Sequence, residues 1–273
     1  MITVTIRDDF DLGKIAASGQ CFRAVPAGEG WRFVTGHRVL HIRRKSLRRY
    51  EVDCTRYVWK HHWMPYFDLE RDYQAIRSAL PPEDAYLCAA ARYGAGIRIL
   101  RQDPWEMLIT FIISQRKNIP AIRHCVETLC LRYGEPLSAG NGVIHAFPTP
   151  AALLTAGEEG LNRCSLGYRT GYLLDAARRV SDGRLSLTEL DKMSDEELLQ
   201  ALCEVRGVGK KVADCVALFG YGRVNCAPVD VWIQRVIRQQ YGGVNPFPRY
   251  GNAGILQQYL FHYAQTGADI QPK

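Results

Sequence analysis

Leu202-Cys-Glu-Val-Arg-Gly-Val-Gly-Lys-Lys-Val-Ala-Asp-Cys215 is the stretch on which the reading of the chain turns. Upstream, Leu198, Leu199, Leu202 and Val205 recur at helical spacing; downstream, Val212, Val216 and Phe219 do the same. Between the stripes lies Gly207-Val208-Gly209, so two helices joined by a tight turn are expected over about 198–219. Two glycines let the backbone turn sharply, and the apolar residue between them fills the space between the helices. The N–H groups of the turn and of the new helix then point outward and form a nest for a phosphate oxygen, favoured by the helix dipole. Such a helix-hairpin-helix grips a nucleic-acid backbone without reading its sequence. An ordinary glycine-linked helix pair is written in the same letters, and Gly-Val-Gly alone does not separate the two.

Two residues add chemistry. Lys211 falls in the first turn of the second helix, and Cys215, four residues on, shares its face. Asp230 follows in Ala227-Pro-Val-Asp-Val-Trp232, where Pro228 is expected to open a helix and Asp230 to sit in its first turn. An amine and a carboxylate beside a phosphate grip suit cleavage of a glycosidic bond. The amine attacks the sugar C1′, and the carboxylate stabilises the positive charge growing on the sugar. A lysine has an ordinary pKa near 10.4, so a nucleophilic lysine must lose its proton locally. The plainer roles, a phosphate-binding cation for Lys211 and a helix cap for Asp230, remain open on spacing alone.

Outward from this core, the chain has 273 residues, 47% hydrophobic and 23% charged. That supports a sizeable core and excludes a disordered or fibrous chain. No apolar run approaches the length of a membrane span, and no membrane association is expected. The opening Met-Ile-Thr-Val-Thr-Ile-Arg-Asp-Asp is strand-like and does not read as a signal peptide. A formal charge of +7 suits a polyanionic partner. The nine cysteines contain no Cys-x-x-Cys pair and are expected as reduced, mostly buried thiols in a cytosolic or nuclear compartment.

Ile2, Val4 and Ile6 alternate with threonine, and Trp31–Val34, Val39–Ile42 and Glu51–Cys54 are further strand candidates. From Leu69 onward the pattern is helical; Asp103-Pro104 caps and opens one helix, and Gly134 stops another. The expected fold is mainly α with an N-terminal antiparallel β-sheet (α+β), with a β domain over 1–80 packed on a helical body over 81–273. Residues 30–50 carry Arg32, Arg38, Arg43, Arg44, Lys45, Arg48 and Arg49 without an acid. With no aromatic stripe interleaved, they are read as a solvated sheet face rather than a nucleic-acid patch.

Several segments, in order, carry a resemblance. They are Ser18-Gly19-Gln20-Cys21-Phe22-Arg23, Gly96-Ile-Arg-Ile-Leu-Arg-Gln-Asp-Pro104, Leu166-Gly167-Tyr168-Arg169, the hairpin with Pro228-Val-Asp-Val231, and Leu260-Phe261. Together they resemble the helix-hairpin-helix glycine/proline/aspartate superfamily of DNA glycosylases, and within it the 8-oxoguanine DNA glycosylase/lyase family, over nearly the whole chain. The resemblance implies a bifunctional enzyme that removes 8-oxoguanine from duplex DNA. Lys211 is then the nucleophile that forms a Schiff base, β-elimination follows, and Asp230 supports the attack. It also implies that the Gly19 carbonyl reads the proton on N7 of the lesion. Phe261 and Cys215 sandwich the base, and Gln257 bonds its Watson–Crick edge. Tyr168 and Arg169 enter the duplex, while the N–H groups of Gly207, Gly209 and Val212 hold a phosphate. The carbonyls of Cys203, Val205 and Val208 are offered to a monovalent cation.

Four departures from the pattern of the family's best-known eukaryotic members stand out. Arg116-Lys117 replaces an asparagine pair, leaving Arg116 as a DNA contact. Ala121 stands where an arginine meets cytosine, Trp232 where a histidine touches phosphate, and Arg206 where the hairpin has proline. The first two put selectivity for the opposing base in doubt. Among rivals of the same fold, an alkylated-base glycosylase needs no lysine. Many oxidised-pyrimidine enzymes carry four cysteines after the aspartate for an iron–sulfur cluster, whereas the last cysteine here is Cys226. No cofactor is expected. A non-catalytic helix-hairpin-helix module would only grip DNA. The expected partner is double-stranded DNA with oxidised guanine, bound by a monomer. The location would be the cytoplasm, on the nucleoid, in a bacterium, or the nucleus in a eukaryote.

Overall fold

The computed structural model describes residues 1–139 and 142–266. The N-terminal strands are β1 (Ile2–Thr5), β2 (Ala24–Ala27), β3 (Gly30–Thr35), β4 (Arg38–Ser46) and β5 (Arg49–Val52), in the sheet order β1-β5-β4-β3-β2. A separate antiparallel ribbon pairs β6 (Pro136–Ala139) with β7 (Gly142–His145). The rest of the regular structure is helical, so the fold is mainly α with an N-terminal antiparallel sheet. Strand β2 escapes a pattern reading because Pro26 and Gly28 look like turn residues. Pro26 is accommodated because β2 is an edge strand, where it pairs opposite Trp31.

The chain folds as two compact units. The first joins Met1–Cys21, Ile42–Arg101 and the segment from Gly222 onward; the second joins Phe22–His41 and Gln102–Tyr221. These boundaries differ from a cut at residue 80, and Arg98 gives the physical reason within the first unit. Its fully buried guanidinium pairs with Asp8 at 2.9 Å. It also donates to the carbonyls of Phe67 at 3.3 Å, Arg71 at 2.8 Å and Asp68, and stacks 4.0 Å from the Tyr73 ring centroid. Composition shifts from strand to helix near residue 80, but one buried arginine binds segments on both sides of that point.

The basic run is largely solvated, as expected. Arg43 and Lys45 on β4 reach Glu51 on β5, at 2.5 Å each, so an acid just outside the run answers two of its cations.

In the second unit Asp103 caps the helix Pro104–Ser114, its Oδ1 accepting the Glu106 N–H at 2.8 Å. Glu106 is buried, 3.6 Å from the Arg23 guanidinium. Burial pushes its carboxyl up to about 7, against the opposing pull of Arg23. An unfolded glutamate titrates near 4.3, so between about 4.3 and 7 the folded protein holds the extra proton and stability falls as pH rises. We expect Tm to drop by several degrees across that window, at roughly 2–4 °C per kcal/mol. Glu106→Gln should flatten the slope in thermal melts at stepped pH; an unchanged slope contradicts this account.

Candidate active site and DNA grip

In the second unit the helices Asp195–Cys203 and Lys210–Tyr221 flank the Gly207-Val208-Gly209 turn, as the periodicity predicts. The first helix opens with a reciprocal capping box between Ser194 and Glu197. Val208 is buried between the helices and Gly207 has φ +84°. The ring of Tyr172 lies 2.3 Å from where a Cβ on Gly207 would stand. The Gly207 carbonyl accepts from Gln115 Nε2 at 3.0 Å. Arg206, in the place of the usual proline, uses an N–H that proline lacks, donating to Asp175 Oδ2 at 3.2 Å.

One amide departs from expectation. The Val212 N–H donates to the Gly209 carbonyl at 2.9 Å inside the first helical turn, so of the three amides expected at a phosphate Gly207 and Gly209 are the ones left as candidates. Of the three carbonyls considered for a cation, Val205 already accepts the Val208 N–H at 2.9 Å and keeps one lone pair. The set remains compatible with a monovalent ion.

The two lysines at the head of the second helix have different surroundings. Lys210 Nζ pairs with Asp214, one turn on, at 2.9 Å, and its side chain is 81% exposed. Burial raises the Asp214 carboxyl and Lys210 pulls it back. Lys211 is half-buried, and its Nζ sits 5.5 Å from the centroid of the Phe111 ring. Phe111 stacks on Phe219 at 5.5 Å. No carboxylate among the described residues pairs with Lys211. Cys215 is buried in the same helix. The aromatic wall under Lys211 is invisible in sequence, because Phe111 reads simply as helix core.

The residues expected at the duplex are also in this unit. Tyr168 is 54% exposed, on a 3-10 turn over Gly167–Arg169. Arg169 is only 6% exposed: its guanidinium lies 4.3 Å from the Tyr168 ring centroid and donates to the carbonyls of Leu166, at 3.1 Å, and Gln115. Gln115 thus ties Arg169 to the hairpin turn, a link nothing in the local pattern signals. Arg116 is exposed at φ +53°. Lys117 Nζ donates to the Ser165 carbonyl at 3.0 Å. Ala121 sits in the first turn of the helix Ile119–Tyr133, capped by Asn118.

The first unit holds the remaining residues. Asp230 is the N-cap of the helix Val231–Gln240 rather than a first-turn residue. Its backbone is extended, at φ −96° and ψ −174°, and its Oδ1 accepts the Ile233 N–H at 2.9 Å. Pro228 therefore precedes the helix instead of opening it. Trp232 lies in that helix with the Arg235 guanidinium 5.0 Å from its ring centroid. Gly19 has φ +75°, in the turn after the helix Leu12–Ala17. Gln257 and Phe261 share a face of the helix Ala253–Thr266. Phe261 is half-buried, and Gln257 is 4% exposed with a buried Oε1 that finds no donor among the described residues.

Two helices joined by a glycine turn, with Lys211 in the first turn of the second, make this a protein of the helix-hairpin-helix class. The comparisons narrow this. Residues 1–108 match the N-terminal domain of 8-oxoguanine DNA glycosylase, and residues 109–250 match the helix-hairpin-helix superfamily of base excision DNA repair proteins. The chain belongs to the 8-oxoguanine DNA glycosylase family of that superfamily. It is 35% identical over 199 residues to the N-glycosylase/DNA lyase of Saccharomyces cerevisiae, covering 67% of this chain and 51% of the yeast protein. A probable N-glycosylase/DNA lyase of Methanothermobacter thermautotrophicus is 29% identical, covering 73% of this chain and 72% of the relative. The solved 8-oxoguanine glycosylase/lyase of Clostridium acetobutylicum, in complex with double-stranded DNA holding cytosine opposite 8-oxoguanine, superposes with a TM-score of 0.88 at 31% identity. That match covers 97% of this chain and 98% of the other. The chain thus spans about half the length of the yeast relative but nearly all of the clostridial structure.

Gly207→Ala tests the hairpin directly. A Cβ there meets the Tyr172 ring and a positive φ together, a strain of about 1–3 kcal/mol. Melting should show the loss of stability, and fluorescence anisotropy should show duplex affinity falling at least about fivefold. Wild-type affinity in a destabilised variant would detach the turn from the DNA grip.

Proposed function

We propose that this chain excises 8-oxoguanine from duplex DNA and cleaves the strand at the resulting abasic site. The target atom is out of reach inside a duplex, so the nucleotide is first flipped out, at a cost of a few kcal/mol. Lys211 Nζ attacks C1′ while the glycosidic bond breaks and the base leaves with the bonding electrons and a proton. The attacking nitrogen gives up its protons as the C1′–O4′ bond opens, O4′ leaving as a hydroxyl, so the amine carries C1′ as a Schiff base; this acidifies the C2′ proton, whose removal expels the 3′ phosphate by β-elimination. Asp230 stabilises the positive charge that develops on the sugar as the base departs. Its capping bond keeps the carboxylate fixed in direction, and an ionised carboxylate suits a helix N-terminus.

The observation that carries this reading is the contrast between the adjacent lysines. Lys210 is paired with Asp214 and solvated, whereas Lys211 is half-buried against Phe111 with no carboxylate partner among the described residues. An amine of the second kind is available for covalent work.

For the base, the Gly19 carbonyl accepts the N7 proton that 8-oxoguanine has and guanine lacks. Gln257 takes the Watson–Crick edge, and its buried Oε1, without a donor among the described residues, supports that role. Phe261 and Cys215 flank the base. Gly207 and Gly209 amides hold a phosphate, with a monovalent cation on the carbonyls of Cys203, Val205 and Val208. Arg116 and Tyr168 face the duplex, with Arg169 buried against the Tyr168 ring beneath them. No cofactor takes part, and the protein acts as a monomer wherever the DNA is kept. Among the described residues no helix is long and apolar enough to cross a membrane.

Single-turnover kinetics on an 8-oxoguanine duplex test the assignment. Lys211→Gln should abolish excision with duplex affinity largely kept, while Lys210→Gln keeps most activity; the reverse pattern sinks the proposal. Asp230→Asn keeps a good cap but removes the charge, so a loss of less than about tenfold, roughly 1.4 kcal/mol, contradicts a stabilising carboxylate.

The opposing base gives a further test. Ala121 offers no side-chain donor, Lys117 is engaged by Ser165, and the Arg169 guanidinium is held by two backbone carbonyls. Each good base contact is worth about 1–3 kcal/mol, and few remain for cytosine. Excision opposite cytosine and adenine should therefore differ by no more than about tenfold. A preference of several hundredfold would show that another residue reads the cytosine.

A further inference from the structure

The Gly19 turn is held from three sides within the first unit. Ser18 ends the helix Leu12–Ala17, its hydroxyl donating to the Ile15 carbonyl at 2.8 Å. Gln20 is fully buried; its Nε2 donates to Ser18 Oγ at 2.8 Å and to the Arg98 carbonyl at 2.9 Å, and its Oε1 accepts the Leu100 N–H at 2.8 Å. The third hold comes from far away in sequence. Gln258, 2% exposed on the helix Ala253–Thr266, donates from Nε2 to the Ser18 carbonyl at 2.9 Å.

That last bond acts on a particular peptide plane. The Ser18 carbonyl and the Gly19 N–H belong to one rigid unit. Glycine has the softest φ and ψ of any residue, so a Gly19 carbonyl hinged on Gly19 alone would swing through a wide arc. With the plane before it fixed by Gln258 and the residue after it anchored by Gln20, the carbonyl has one direction. The helix that carries Gln258 also carries Gln257 as its sequence neighbour, so one rigid element sets both the edge reader and the direction of the N7 reader. A carbonyl aimed correctly accepts from 8-oxoguanine; a carbonyl free to turn away loses that bond and tolerates guanine equally.

We infer that Gln258 is a positioning residue for lesion discrimination: it holds the Ser18–Gly19 peptide so that the Gly19 carbonyl faces the N7 proton of the base. The inference rests on the proposed reading of 8-oxoguanine by that carbonyl.

The test uses two substrates, because an abasic site has no base to read. Gln258→Met preserves length and helix propensity but removes the donor; Gln258→Glu preserves size and polarity while replacing the donor with an acceptor. Both should lower single-turnover excision of 8-oxoguanine about tenfold, the scale of one lost hydrogen bond in a transition state. Both should shrink the ratio of lesion to guanine affinity, measured with non-cleavable 2′-fluoro nucleotides, by a similar factor. Cleavage of a preformed abasic site should stay within about twofold of wild type. Equal losses on both substrates make Gln258 a merely structural residue and overturn the inference, as does no loss on either. A wild-type protein that cuts abasic sites but excises no 8-oxoguanine overturns the substrate assignment and this inference with it.

Discussion

Gly207 must hold φ +84° with the Tyr172 ring lying where a side chain would begin, and the hairpin's offer to DNA depends on that constraint. The turn brings the Gly207 and Gly209 amides out of intrahelical bonding, and starts the next helix so that Lys211 falls in its first turn. Gln115 locks the same turn from outside, accepting Arg169 on its own carbonyl and donating to that of Gly207. The hairpin turn, the Lys211 amine and the Tyr168–Arg169 segment are therefore mechanically one piece of the second unit. A phosphate bound at the turn is registered against the amine without any further ordering, which is where the entropic advantage of such a site lies.

On the proposed reading the first unit has a different problem, holding a glycine carbonyl still. Arg98 places four of its five donors on Asp8 and three backbone carbonyls, and offers its own carbonyl to Gln20. Breaking such a buried charged network costs roughly 3–5 kcal/mol, and the Gly19 turn is tied to it through Gln20. On the proposed reading, discriminating oxidised guanine from guanine by one proton demands such an anchor, because a misplaced acceptor reads neither base.

Much of this was legible in sequence, and what was legible was local. The hairpin, the lysine at its head and the helices around them follow from 3.6-residue periodicity and glycine placement. Asp230 was legible as an anion at a helix N-terminus but misplaced by one step, because Pro228 opens no helix when an extended cap follows it. The contacts that aim these groups join distant residues: Gln115 and Gly207 are 92 apart, Gln258 and Ser18 are 240 apart. Neither glutamine differs in pattern from an ordinary helix residue. Arg169 shows the opposite case, a residue whose motif was plain while its buried, carbonyl-bound state was not.

The central claim is that one particular amine forms a bond to the sugar. Borohydride reduction during turnover of an 8-oxoguanine duplex, followed by digestion and mass spectrometry of the linked peptide, reads that bond directly. The account predicts a sugar-derived adduct on Lys211. An adduct on Lys210 or any other amine, or none where excision has occurred, would contradict it.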